Sequence, residues 1–201
     1  MATSDVRIEP VANRRELKSF IMFPFKLYRS HPYWVPPLLG ERFKHFDPNR
    51  NPFYEHAEVQ LFRAVRAGKT VGTIAAIADE LHVKVWHEPV GFFGEFEVIE
   101  DYDVAATLFS AARQWLASRG REVMRGPVNL NMVYDEAGLL IDGFDGRPVI
   151  MMTYSPPHYQ TFMERYGLVK AKDLYAYIVD IASYGPNMEH LPEQVSRVAR
   201  I

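Results

Sequence analysis

Apolar and polar positions alternate along the first half of the chain and take helical spacing in two places of the second. Val6 to Val11 alternates as a short first strand. Asn13 and Glu16 make an N-x-x-E capping box ahead of Leu17, Phe20, Ile21 and Phe25 at helical spacing. Pro24 is expected to end or kink that helix near Phe23. From Ala57 onward, Val59, Leu61 and Val65 alternate with Glu58, Gln60 and Arg66, and Ala67-Gly68-Lys69 supplies a tight turn. Val71 to Ala78 reads as a second, more buried strand. Leu81, Val83 and Val85 alternate with His82, Lys84 and Trp86, which predicts a continued hairpin or a further strand. Gly91 to Ile99 is the next strand, and short turns between such strands indicate an antiparallel meander.

Val104, Leu108, Ala111, Ala112, Trp115 and Leu116 then mark one face of a helix over 103–119, with Asp103 as its N-cap and Gly120 as its stop. Glu122 to Val128 is a short strand expected to lie parallel to the preceding one, across a right-handed crossover. Residues 129–147 read as loop, and Val149 to Tyr154 as a strand or extended core segment. Ser155, Pro156 and Pro157 open a second helix with Tyr159, Phe162, Met163 and Tyr166 as its buried stripe and Gly167 as its end. Leu174 to Ile181 is a final strand. The predicted class is α+β, a mixed central sheet with an antiparallel meander and a crossover helix. Residues 1–181 form its single domain, and 182–201 a tail or the start of a second half.

Residues 31–56 are dense in proline and aromatic rings. They read either as a well-packed connection with a helical turn or two around Leu38 to Phe46, or as a lip of apolar rings over a ligand groove. The composition narrows the classes. A chain of 201 residues that is 48% hydrophobic can build one good core. A net charge of −2 offers no basic footprint, so nucleic acid is not an expected partner. The absence of cysteine excludes disulfides and thiolate metal sites, and the histidines show neither H-x-x-x-H nor H-E-x-x-H spacing, so no metal site is expected. The opening residues lack the apolar stretch of a secretory signal, and no apolar run approaches a membrane span. A cytoplasmic location is the expectation.

Two carboxylates stand out. Glu95 and Glu97 lie two apart on one strand and so share a face. They are either solvated strand positions and partners for Arg113, Arg121 or Arg125, or a base tuned by burial in an aromatic cleft.

The order of elements, with Tyr159 and then Arg165-Tyr166-Gly167-Leu168-Val169-Lys170-Ala171 near the end, resembles the GNAT superfamily of acyl-CoA-dependent N-acyltransferases. Phe96 to Leu116 resembles that superfamily's strand–loop–helix around the CoA diphosphate. The segments LYRSHPYWVPPL, NPFYEHAEVQLF, GFFGEFE, GLLIDGF and KAKDLYAY are similar to a group of uncharacterised bacterial GNAT-like proteins. Those proteins are longer, with a second α/β half, and this chain resembles their N-terminal half.

The resemblance implies transfer of an acyl group from acetyl-CoA or a longer acyl-CoA to a small-molecule amine. Glu97 or Glu95 would be the base, acting on the amine. The backbone of Val98, Ile99, Val104 and Ala105 would seat the cofactor, with Asn129 against its pantetheine arm. Asn129 is equally a turn residue. Tyr33, Trp34, Phe92 and Phe93 would line an apolar acceptor or acyl pocket, wide enough for a long chain. Two departures support a different reading. The expected Q/R-x-x-G-x-G/A loop falls on Glu100 to Ala105, where Glu100 and Asp103 bring negative charge and only Ala105 fits. Met163 stands where the superfamily often has a proton-donating tyrosine, while Tyr159 and Tyr166 fit core packing. The alternative is a non-catalytic GNAT-like domain that serves binding, homodimer formation or support of a second, catalytic half.

Overall fold

The computed structural model describes residues 6–131 and 134–177. Contacts gather residues 1–171 into one compact unit and 172–201 into another. In the first unit, β1 (Arg7–Pro10), β2 (Ala57–Arg66), β3 (Lys69–Asp79), β4 (Val90–Val98) and β5 (Val123–Arg125) form a sheet in chain order. The first four strands are antiparallel neighbours, and β5 joins β4 in parallel. The meander and the crossover are therefore as the alternation predicts. The Ala67-Gly68 turn takes φ of 50° and 73°, the paired left-handed geometry of a two-residue hairpin.

β3 carries the core on both of its faces, which is why it reads as an unbroken apolar run. Ile74 and Ala76 pack with Val104, Leu108, Phe109 and Ala112 of α4 (Tyr102–Ala117) and with Tyr159 and Phe162 of α5 (His158–Tyr166). Ala75 and Ile77 pack with Phe20 and Ile21 of α1 (Arg14–Leu27) and with Phe46 and Phe53. Each fully buried side chain of this size contributes on the order of 2 kcal/mol.

Several expectations change in detail. α1 begins at the predicted box, with Asn13 accepting from the Glu16 N–H at 3.0 Å and Glu16 accepting from Ala12 at 2.8 Å. It does not stop at Pro24 but runs to Leu27. Proline removes only its own N–H, and the buried Phe20, Ile21, Phe23 and Tyr28 keep the helix on the sheet. The segment after β3 is a helix, α3 (Glu80–Trp86), rather than a strand. Asp79 caps it by accepting from the Leu81 and His82 N–H groups at 2.9 and 3.2 Å, and Leu81, Val85 and Trp86 stay exposed.

The N-cap of α4 is Asp101, not Asp103, because the Asp101 carboxylate reaches the N–H groups of Asp103 and Val104. Gly120, at φ 70°, lets Arg121 N–H return to the Leu116 carbonyl at 3.1 Å and ends that helix as expected. Val149 to Met152 is neither strand nor core, since all four side chains are exposed. Leu174 to Tyr177 carries no strand, and the rest of the predicted final strand lies outside the described residues.

The region 31–56 holds α2 (Leu39–His45) and a 3-10 turn at Pro52–Glu55. α2 brings Arg42 and His45 to the sheet. Gly94 brings the segment after β5 there from the other side. A Cβ on Gly94 would sit 1.8 Å from the Val128 carbonyl oxygen, so only glycine admits this crossing. Val128 N–H bonds to Phe93 O at 2.8 Å, and Asn129 follows against β4.

Candidate active site

β4 is bulged where the two carboxylates lie. Its pairing with β3 shifts between Thr73 and Ala75, and Glu95 takes a φ of 49°. The bulge turns Phe93, Phe96 and Val98 toward α4, while Phe92 packs in the cluster on the α1 side. Glu95 and Glu97 both line a cavity with Thr73, Arg42, Phe25 and Pro37. The bulge is held in place by polar contacts. Asn129 Oδ1 accepts from Glu95 N–H at 2.9 Å, and the Thr73 hydroxyl donates to the Glu95 carbonyl at 3.1 Å. The cavity measures about 30 Å³. A single water needs roughly 10–15 Å³ of such space, so the cavity admits a water or two. It takes a single polar head group, not a chain.

The environments of the two carboxylates diverge. Burial pushes Glu97 up to about 8, although hydrogen bonds to the Tyr28 and Tyr159 hydroxyls oppose the rise. Tyr28 donates to Glu97 Oε2, and Tyr159 Oη stands 3.0 Å from the same oxygen. The two phenols are 3.1 Å apart. Burial first, and then the Glu97 charge, raises both phenols, so they remain protonated donors. Glu95 goes the other way. Burial favours its neutral form, but the Arg42 guanidinium outweighs burial and holds it down at about 2. A neighbouring pair with separated titrations suits one member to proton transfer and the other to fixed charge.

Around Glu95 the polar chain continues. His45 Nε2 is 3.6 Å from Glu95 Oε1, and His45 Nδ1 is 3.6 Å from Asp135 Oδ1. Both Glu95 Oε1 and His45 Nε2 are buried and without a hydrogen-bond partner.

The structure separates the other sequence-predicted residues. Trp34 packs on Phe25 and Tyr28 at centroid distances of 5.3 and 5.4 Å, so the aromatic stretch does border the cavity. Tyr33 meets only the His31 ring, at 6.1 Å, among the described ring contacts. Phe92 and Phe93 are core residues on opposite faces of the sheet, 4% and 1% exposed, rather than a pocket wall. Asn129 holds the bulge. Val98 N–H donates to Tyr159 Oη at 2.7 Å, and Ile99 N–H to Val71 O at 3.1 Å. Val104 N–H and Ala105 N–H turn to the side chain and carbonyl of Asp101.

The start of α4 thus satisfies its own donors. Asp101 is in turn held by Arg66 at 2.7 Å. A diphosphate placed at this turn would face a carboxylate and N–H groups already engaged, so the turn does not fit that group. Tyr28, Arg42 and His45 were not signalled by spacing, whereas Asp135 lies in the Asn- and Asp-rich stretch after the crossover strand, which reads either as turn chemistry or as a ligand-facing end of the sheet. Arg42 and His45 do lie three apart, on one face of a short helix.

No family profile matches the chain. A bacterial ceramide synthase of Caulobacter vibrioides is 41% identical over 178 residues, covering 88% of this chain and 46% of that protein. Protein YghO of Escherichia coli is 39% identical over 191 residues, covering 94% of this chain and 48% of that one. The chain spans about half the length of these relatives. Among solved structures, a tandem GNAT protein from the clavulanic acid biosynthesis pathway superposes with a TM-score of 0.54 at 13% identity, over 81% of this chain and 43% of that one. An aminoglycoside acetyltransferase from an uncultured soil metagenomic sample, solved with sisomicin, gives 0.51 at 10% identity, over 88% and 96%. The chain has the GNAT acyltransferase fold. The resemblance carried by the sequence motifs holds at the level of fold, and the bulged β4 of this GNAT fold is where its two carboxylates meet. No described helix is long and apolar enough to cross a membrane.

Proposed function

We propose that this chain is a GNAT-fold domain of an N-acyltransferase, in which Glu97 takes the proton of an acceptor amine. The observation that carries the reading is Glu97 itself, a buried carboxylate pushed up to about 8 at the cavity and held by two phenols. An amine reaches an enzyme at neutral pH as an ammonium ion and must lose a proton before it can attack. A base that titrates near neutrality accepts it best. Arg42 keeps Glu95 ionised and neutralises it as a pair, which leaves Glu97 as the carboxylate free to change its charge.

The acceptor class follows from the relative. A ceramide is a fatty amide of a long-chain amine, so likeness to a ceramide synthase supports a long-chain amine here. The small cavity suits this substrate, because only the head group would enter and the chain would extend from it past Trp34, which packs on the cavity-lining Phe25. The acyl group would come from a fatty acyl thioester, acyl-CoA by analogy with solved GNAT proteins.

The closed turn at α4 favours a second reading, in which this domain supplies the acceptor site and the donor is seated on another half of a longer protein. Mass spectrometry of products formed from a fatty acyl-CoA and a long-chain amine, by the protein at its natural length, tests the first point. Amide formation abolished in Glu97→Gln supports the role of Glu97. Unchanged turnover in that variant removes it.

A further inference from the structure

Glu97 faces the cavity because β4 carries one extra residue. Between the pairs Gly94–Ala75 and Glu97–Thr73, Glu95 and Phe96 stand opposite a single residue, Ile74. Without the extra residue, alternation would put Glu95 and Glu97 on the face of Phe93, against α4, and Phe96 on the other. With it, Phe93, Phe96 and Val98 all enter the α4 core, and both carboxylates turn to the cavity beside Phe20 and Ile21 of α1. The device requires a left-handed backbone at Glu95, φ 49°, in a region that glycine tolerates and glutamate disfavours. A bulge also takes its extra residue out of the ladder, so the backbone N–H and carbonyl of Glu95 need partners from elsewhere.

We infer that Asn129 is a positioning residue for Glu97, acting through the backbone of Glu95. Asn129 Oδ1 accepts from Glu95 N–H at 2.9 Å, and the Thr73 hydroxyl donates to the Glu95 carbonyl at 3.1 Å. Thr73 lines the cavity and Asn129 does not, so Asn129 works without touching the head group. Asn129 is itself anchored. Its N–H bonds to Glu136 O at 3.0 Å, and Gly138 N–H bonds to Pro127 O at 2.9 Å, which ties the two ends of that segment together. Val128 N–H on Phe93 O at 2.8 Å, over the bare Cα of Gly94, seats the segment on β4. The acceptor oxygen therefore stands at a fixed place beside the one residue whose left-handed backbone turns the base to the cavity. The inference rests on the proposed N-acyl transfer, and it gives Asn129 a task other than the pantetheine contact that the family resemblance implies.

The test uses the protein at its natural length, with decylamine and one fatty acyl-CoA. Asn129→Ala should lower kcat by about 100-fold, the effect of a misplacement of about 1 Å, with KM for both substrates within about twofold. The rising limb of kcat/KM should also move to higher pH, as Glu97 draws away from the Tyr28 and Tyr159 donors. Asn129→Asp keeps an acceptor oxygen in place and should return kcat, read on the plateau above the limb, to within about threefold of the unaltered protein. Circular dichroism reports whether each variant folds. If Asn129→Ala does not, Asn129→Gln carries the test, because it keeps the amide but moves its oxygen by one methylene. A limb that stays in place while kcat falls overturns the inference, as does a loss that Asn129→Asp leaves unrepaired. A raised KM for acyl-CoA with kcat unchanged makes Asn129 a cofactor contact and also overturns it. In each of these cases amide formation by the unaltered protein leaves N-acyl transfer standing. If the unaltered protein forms no amide, N-acyl transfer falls and the positioning role falls with it.

Discussion

Tyr159 Oη lies 3.0 Å from Glu97 Oε2 while accepting the Val98 N–H at 2.7 Å. One phenol therefore ties the last described helix to the carboxylate and to the strand that carries it. Removing it has two separable effects. Tyr159→Phe leaves a buried N–H and a buried carboxylate each short of a partner, at a cost of about 1–3 kcal/mol measurable by chemical denaturation. It also removes a donor that favours the ionised carboxylate, so Glu97 rises further. The rising limb of kcat/KM should then move to higher pH than in the unaltered protein. A limb that stays in place would show that the hydroxyl only packs.

Glu97 must be ionised to accept a proton. The rate with a long-chain amine should climb through about pH 8, in step with its titration. Glu97→Gln should lower kcat by roughly 100- to 10,000-fold and abolish the limb, with the near-isosteric amide keeping the cavity intact. The same variant reports on stability. Glu97 titrates above its ordinary 4.5 in the fold, so its favourable contribution is complete below that value and is lost as pH rises toward 8. Glu97→Gln should therefore gain stability relative to the unaltered protein between about pH 5 and pH 8. Parallel denaturation midpoints over that range would count against a buried, raised carboxylate.

Much of this was legible from residue pattern, and the exceptions share a cause. The meander, the crossover and both long helices follow from periodicity because each buries a continuous face. α3 escaped because Leu81, Val83 and Val85 suit a strand as well as a short exposed helix, and the deciding contact is the Asp79 cap. The pairing of Glu95 with Glu97 on one face was readable, but their divergence was not. It depends on Arg42, 53 residues away, on Tyr28, which no spacing singled out, and on Tyr159, which the core pattern had absorbed as packing. Phe92 and Phe93 illustrate the converse. Adjacent residues on a strand face opposite ways, so both entered the core and neither became a pocket wall.

Arg42 and Glu95 form a largely buried pair, their side chains 19% and 11% exposed. Arg42→Ala strands the carboxylate, and breaking such a pair costs about 3–5 kcal/mol. The pH dependence has the opposite sign to that of Glu97. Glu95 is held near 2, below its ordinary 4.5, so its contribution is present above that value and fades as pH falls toward 2. The unaltered protein should lose stability on acidification faster than Arg42→Ala does, and acid titrations followed by circular dichroism should converge near pH 2. Curves that remain parallel would mean that Arg42 does not compensate Glu95.

Asp101 decides whether the α4 turn can ever hold a diphosphate. Its carboxylate accepts from Asp103 and Val104 N–H at 3.0 and 3.4 Å and is clasped by Arg66. Burial acts against its charge, but the Arg66 contact and these N–H bonds hold its titration below the ordinary carboxylate range. Asp101→Ala removes a helix cap, at about 1 kcal/mol, and frees two N–H groups and one guanidinium, a set that favours a phosphate group. Amide chemical shifts of residues 103–105 should be unmoved by CoA in the unaltered chain and should move in Asp101→Ala. CoA-dependent shifts there in the unaltered chain would mean that the carboxylate yields to the diphosphate, and the acceptor-only reading of this domain would be lost.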